Sequence, residues 1–225
     1  MATVLKKSLP YILTSLAVIG LWQLFTWREN YAWFPKGKEP LMLDIALTTI
    51  FIYKTAFWLV IANVTVFIIR SLFKIRYKVA GIAALIGVIF YLAVAQVVDK
   101  SCAFSYYMIF MNQSVSEEYL QDPIKEAGYH IGPILTDKIK DKNMKLRRYA
   151  ISGLDDIKYK PATETLREIL FDTTEADYVR ADAFVVLTRF NSATATKVLS
   201  DFKLSARDTI DSKVVELGTY FLHAN

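Results

Sequence analysis

Two long apolar runs joined by a short basic loop constrain this chain more than anything else in it. Residues 41–69 contain Asp44 and Lys54 as their only charges, and residues 79–98 contain none. Between them, Arg70 to Lys78 holds four basic residues and no acidic one. A helix of about 20 apolar residues matches a hydrocarbon core of about 30 Å, so both runs read as membrane spans. Short Lys/Arg-rich loops stay on the cytoplasmic side during insertion, which makes Arg70, Lys74, Arg76 and Lys78 the topology-setting residues.

The other boundaries follow from that assignment. Residues 8–27 form a first span between Lys7 and Arg28. Its end, Leu24-Phe25-Thr26-Trp27-Arg28, lacks the small residues of a signal cleavage site, so it reads as a retained anchor. Trp22, Trp27, Tyr31 and Trp33 then form an aromatic belt at the outer interface. The second run is too long for one simple crossing. Its hydrocarbon part is placed at 50–69, with 41–49 as a helical extension on the outer surface. Lys54 lies about one turn inside the boundary, where its stem snorkels to the headgroups. The third span is 79–98, and the aromatic segment 101–111 continues it or lies along the interface. Ala83 and Gly87 give that span a small-xxx-small pair suited to close helix packing. The N-terminus is thus expected inside, residues 28–40 outside, and everything after residue 99 outside the cytoplasm.

Charge separates the two halves. Residues 1–112 carry 11 Lys/Arg against 4 acidic residues, and residues 113–225 carry 16 against 18. The overall charge of +5 therefore belongs to the membrane-flanking residues. A nucleic-acid surface needs its cations gathered on a soluble face, and the near-neutral second half excludes one.

From residue 112 onward the apolar residues recur at helical spacing. Leu146-Arg147, Ala150 and Leu154 can be laid on Val179-Arg180, Ala183 and Leu187, all at one constant offset. The following helix recurs too, with Leu166 over Val198 and Leu170 over Phe202 at an offset one shorter. Such a period marks stacked helical pairs that bury their apolar faces against neighbours. Leu170-Phe171-Asp172, then Val179-Arg180, Ala183 and Leu187, resembles the short HEAT-like repeats of the phycocyanobilin-lyase type. The resemblance implies an α-solenoid over 112–225 with Arg147, Ala150, Leu154, Arg180, Ala183 and Leu187 as structural repeat positions. In such repeats the arginine meets an acidic residue near the inter-repeat turn. The candidates are Asp137 or Asp141 for Arg147, and Asp172 or Asp182 for Arg180.

Chemistry-bearing motifs are missing from the sequence. There is no G-x-S-x-G, no H-E-x-x-H and no Gly-rich phosphate loop. Glu117-Glu118 and Asp155-Asp156 point in different directions on a helix and read as solvated or capping groups. His130 lies among turn residues, and the lone Cys102 reads as inert; no metal ligand set and no cofactor site is expected. Asn112-Gln113-Ser114 is a chance-level glycosylation tripeptide.

The expected fold is all-α: three transmembrane helices followed by an extracytoplasmic helical repeat domain. The expected function is non-enzymatic, an accessory or scaffold subunit whose partners are other chains of a membrane complex and the bilayer itself. A transporter component with Lys54, Asn63 and Gln96 lining a path is the alternative. A cofactor-handling protein, by analogy with the bilin lyases, rests on fold likeness alone.

Overall fold

The computed structural model describes residues 2–28, 39–113, 117–205 and 211–224, with side chains over 6–21, 41–113, 117, 119–205 and 211–223. The described residues are helical or in turns, without a strand. They divide into two compact units, Met1–Val115 and Ser116–Asn225.

The first unit holds α1 (Ala2–Arg28), α2 (Glu39–Phe73) and α3 (Tyr77–Asn112). Two helices among the described residues are long and apolar enough to cross a membrane, over Leu41–Phe73 and Tyr77–Asn112. Only 11% and 6% of their most apolar stretches are buried, which is not how a soluble core helix sits. Two such helices, rather than the three expected, stand there. The first expected span is helical within α1, but its side chains are described only over 6–21, which is short of a crossing. The belt residues Trp22, Trp27, Tyr31 and Trp33 lie outside the described side chains, as does Ser114 of the tripeptide.

Both α2 and α3 outrun a single span. Residues 41–49 extend α2, and 101–111 continue α3 without a break. At those ends the burial pattern changes. Leu43, Ala46 and Ile50 are buried on α2, and Cys102, Ala103, Tyr106, Ile109 and Phe110 on α3.

The turn between α2 and α3 is tight. The Arg76 N–H donates to the Ser71 carbonyl and the Ile75 N–H to the Leu72 carbonyl, each at 2.9 Å. This is the Schellman arrangement, which ends a helix through one left-handed residue. That residue is Ile75, with φ of 59°. A β-branched side chain crowds the backbone there, where glycine is the usual occupant.

The second unit follows with α4 (Asp122–Ala127), α5 (Gly132–Lys138), α6 (Arg147–Asp156), α7 (Thr163–Phe171), α8 (Asp177–Phe190), α9 (Ala193–Ser205) and α10 (Asp211–Ala224). Prolines lie at the openings of the short elements: Pro123 is the second residue of α4, Pro133 the second of α5, and Pro161 sits in the turn before α7. Proline loses nothing there, since the first N–H groups of a helix have no intrahelical partner. Asn191 in the left-handed region ends α8, a conformation asparagine tolerates.

Helices α6, α8 and α10 pack side by side in one row, and α7 and α9 pack against α8 and each other. The core between them is continuous. Ile151, Leu154, Leu166, Leu170, Leu187, Phe202 and Val214 are fully buried in it. At Gly218 α10 comes so close to α8 that an added Cβ would stand 2.5 Å from the Phe184 ring. Only a residue without a side chain permits that approach.

Candidate functional site

The six repeat positions all lie in the core of the second unit. Ala150, Leu154, Ala183 and Leu187 have no exposed surface, while Arg147 and Arg180 are 7% and 1% exposed. Each arginine makes the same pair of bonds. Arg147 Nε donates to the Ile139 carbonyl at 2.7 Å and its Nη1 to Glu175 at 2.5 Å. Arg180 Nε donates to the Leu170 carbonyl at 2.8 Å and its Nη2 to Asp211. A carbonyl left over at the end of the preceding helix is thereby satisfied, and the charge is neutralised by a carboxylate that follows the arginine's own helical pair.

These carboxylates are not the ones expected. Asp137 and Asp141 do not meet Arg147, and Asp172 and Asp182 do not meet Arg180. Each has other work. Asp137 pairs with Lys138 at 3.3 Å, and Asp141 accepts the Asn143 N–H at 2.9 Å. Asp172 accepts Lys142 Nζ at 2.6 Å and the Thr174 N–H at 2.9 Å, which holds its carboxyl far below the usual range. The arginines reach forward to Glu175 and Asp211, about 30 residues along the chain, whereas the expected carboxylates lie within about ten residues on either side.

A second arginine, not singled out by the sequence pattern, builds the most developed surface cluster. Arg148 on α6 grips Asp182 on α8 through Nε at 2.5 Å and Nη2 at 3.0 Å. Its guanidinium lies 5.1 Å from the Tyr178 ring centre on α8 and 5.7 Å from that of Phe221 on α10. The Asp182 hydrogen bond raises the Arg148 pKa, while burial pushes the Asp182 carboxyl up against that bond. Tyr178 remains 51% exposed, and Tyr220, whose ring centre lies 6.1 Å from that of Phe221, is 66% exposed. Lys213 of α10 pairs with Asp177 of α8 at 3.0 Å alongside. The signal that could have found the cluster is opposite charge at positions 148 and 182, one repeat apart.

Asp155 departs from the expectation of a solvated group. It is buried, accepting Lys158 Nζ at 2.7 Å and facing Arg189 of α8 at 3.5 Å. The cause is the packing of α6 on α8, which covers the end of α6. Burial raises the neighbouring Asp156 carboxyl, with Lys125 pulling the other way. Glu117 is exposed in a 3₁₀ turn and hydrogen-bonds Tyr149, and the Glu118 side chain lies outside the described residues. His130 is half-buried in the turn before α5, and no group of three metal-type ligands forms among the described residues.

In the first unit the polar residues of the apolar helices find separate partners. Lys54 Nζ donates to the Tyr106 hydroxyl at 2.7 Å, across α2 and α3. Helical side chains slant toward their own N-terminus, so in an antiparallel pair two long side chains lean toward each other. Asn63 instead bonds Ser15 of α1 at 3.1 Å and the Leu59 carbonyl at 2.8 Å. Gln96 is exposed on α3. Lys54, Asn63 and Gln96 are therefore not gathered into one lining. Cys102, one turn before Tyr106, is fully buried.

Gly87 lies at the α2–α3 contact, where an added Cβ would stand 3.1 Å from Val64 Cγ1. Ala83 borders an apolar cavity with Ser15, Asn63 and Val64. Of the four loop cations, Arg70 donates to the Lys7 carbonyl at 2.6 Å and sits 5.4 Å from the Tyr11 ring centre. Lys74 and Arg76 line a small cavity with Arg70, and Lys78 is exposed just beyond it. No family model, no curated protein and no solved structure matches this chain.

Proposed function

We propose that this chain is a non-catalytic accessory or scaffold subunit of a membrane protein complex. In this reading α1, α2 and α3 anchor it as a multi-pass protein with the Arg70 to Lys78 loop in the cytoplasm. The second unit is then a short HEAT-like array on the opposite side of the membrane, presented to partner proteins. Its docking face is the row of α6, α8 and α10.

The observation that carries the reading is the Arg148 cluster. Arginine and tyrosine are the residue types enriched where proteins meet, because they offer large contact area with a polar handle. Here the Arg148 guanidinium is held rigid by Asp182 and two rings, with Tyr178 exposed beside it and Tyr220 exposed next to Phe221. A preorganised side chain of this kind loses little entropy when a partner covers it. The one-repeat ion pairs support the HEAT-like assignment, since they join each helical pair to its neighbour.

The test is affinity purification of the full chain from its native membrane in mild detergent, with a photo-crosslinking residue placed at Tyr178 or, as control, at Glu164 on α7. A discrete crosslinked partner at Tyr178 and none at Glu164 is expected. A chain that runs alone and monomeric, with no crosslink at either site, sinks the proposal. A reporter fused after Asn225 reads the side of the membrane, and a cytoplasmic signal overturns the orientation.

A further inference from the structure

At the α2–α3 turn the first unit holds a cavity of about 260 Å³ lined by Lys7, Tyr11, Arg70, Ser71, Lys74 and Arg76. Phe67 and Val79 complete its wall. Four cations, from α1, α2 and the turn, thus share one small space. The acidic side chains described in this unit, Asp44 and Asp99, stand toward the far ends of the continuous helices α2 and α3. At about 1.5 Å per residue they are more than about 30 Å from the cavity and cannot neutralise it. Like charges held this close repel one another, and an anion between them removes the penalty.

We infer that this cavity binds the phosphodiester headgroup of an anionic phospholipid. The chain around it alternates apolar and basic residues, Phe73-Lys74-Ile75-Arg76-Tyr77-Lys78. Phe73, Ile75 and Tyr77 are 86%, 74% and 65% exposed. Large apolar side chains exposed between cations are the composition of a bilayer interface, where rings enter the acyl boundary and cations meet phosphates. The cavity therefore stands at the depth where lipid phosphates lie, which favours a lipid over a free anion. Arg70 is held in place by the Lys7 carbonyl and the Tyr11 ring, while Lys74 and Arg76 are free of that scaffolding duty. The inference rests on the reading of α2 and α3 as membrane spans and is independent of any docking partner.

The test uses the full chain extracted in detergent and native mass spectrometry to count retained lipid. Phosphatidylglycerol, phosphatidylcholine and inorganic phosphate are the three probes. The variants are Lys74→Gln/Arg76→Gln and, as a control outside the cavity, Lys78→Gln. Wild type is expected to retain one phosphatidylglycerol in preference to phosphatidylcholine. Each cation near an anionic surface contributes roughly fivefold in affinity, so the double variant should bind at least about tenfold more weakly. Lys78→Gln should change binding by less than that. Equal retention of the two lipids, or undiminished binding by the double variant, overturns the inference. So does displacement by inorganic phosphate, which would assign the cavity to a free anion. An equal loss with Lys78→Gln would show diffuse attraction and overturn it as well. Carbonate extraction of the native membrane separates the two failures: a chain released by carbonate is not membrane-spanning at all, whereas a retained chain without lipid preference fails only here.

Discussion

Arg147 and Arg180 occupy equivalent places in successive helical pairs, each with its Nε on a carbonyl of the segment before it, at 2.7 Å and 2.8 Å. The equivalence extends outward, since each guanidinium takes its counter-charge from beyond its own helical pair, Glu175 in the turn before α8 for Arg147 and Asp211 at the start of α10 for Arg180. A recurring buried ion pair of this type registers one pair of helices against the next.

Breaking that pair on one side should be severe. Arg180→Ala leaves the Leu170 carbonyl and Asp211 without their donor and opens a cavity beside Phe202, and a loss of about 3–5 kcal/mol is expected. Arg180→Met with Asp211→Leu removes both charges and keeps the volume, so it should lose much less. Denaturant unfolding of the full chain followed by circular dichroism measures both. Equal losses for the single and double variants would show that the lost charge pair itself, and neither the cavity nor a stranded carboxylate, sets the cost at this site.

The hairpin turn should gain from a smaller residue. Ile75→Gly removes the strain of a β-branched residue at φ 59°. That relief, about 1–2 kcal/mol, is partly offset by the added freedom of the unfolded chain, for a net gain of about 0.5–1 kcal/mol. Thermal unfolding in detergent should show a raised midpoint. A lowered midpoint would mean that the exposed isoleucine makes contacts in the native assembly that outweigh its strain.

Lys54 and Tyr106 should behave as a coupled pair. Tyr106→Phe takes the acceptor from a half-buried ammonium and should cost about 1–3 kcal/mol. In a Lys54→Met background the same change should cost less, because no charge remains to be stranded. Thermal midpoints of the four chains form the cycle. Identical costs in the two backgrounds would dissolve the coupling.

Acid should weaken the second unit partly through Asp172. Its carboxyl is held below its ordinary 3.8, first by the Lys142 hydrogen bond and then by Thr174. A depressed folded pKa means stability present above the unfolded value and lost as pH falls below it. The stability gap between wild type and Asp172→Asn should therefore be full well above 3.8 and shrink as pH drops below it. Urea midpoints across that range give the profile; a gap that widens on acidification would contradict the sign. Asp156 works the other way, since burial raises its pKa and its ionisation costs the folded state.

What could be read from the residues was periodic or compositional. The constant offset of the repeat located Arg147 and Arg180 in the core, because packing demands the same residue type at each turn of a repeat. Their partners escaped, since one is Glu175 in a turn and the other Asp211 opening α10, at different offsets and with no shared motif. The ends of the apolar runs were legible as helical extensions, while their buried faces were not. Tyr106 carries no sequence signal as the partner of Lys54, because an uncharged phenol leaning in from the neighbouring helix leaves no charge pattern. Asp155 escaped for a similar reason: its burial depends on α8 crossing over it, which no local pattern reports.

The placement of Asp211 and Gly218 in the last helix bears on how the chain is made. Arg180 is synthesised well before its counter-charge leaves the ribosome, and the Phe184 ring stays open on one side until Gly218 arrives. Synthesis of the second unit therefore cannot be matched by stepwise closure of its core behind the ribosome. Helix α10 acts as a clasp, and limited proteolysis of ribosome-bound chains is expected to find the unit resistant only after that helix has emerged and docked.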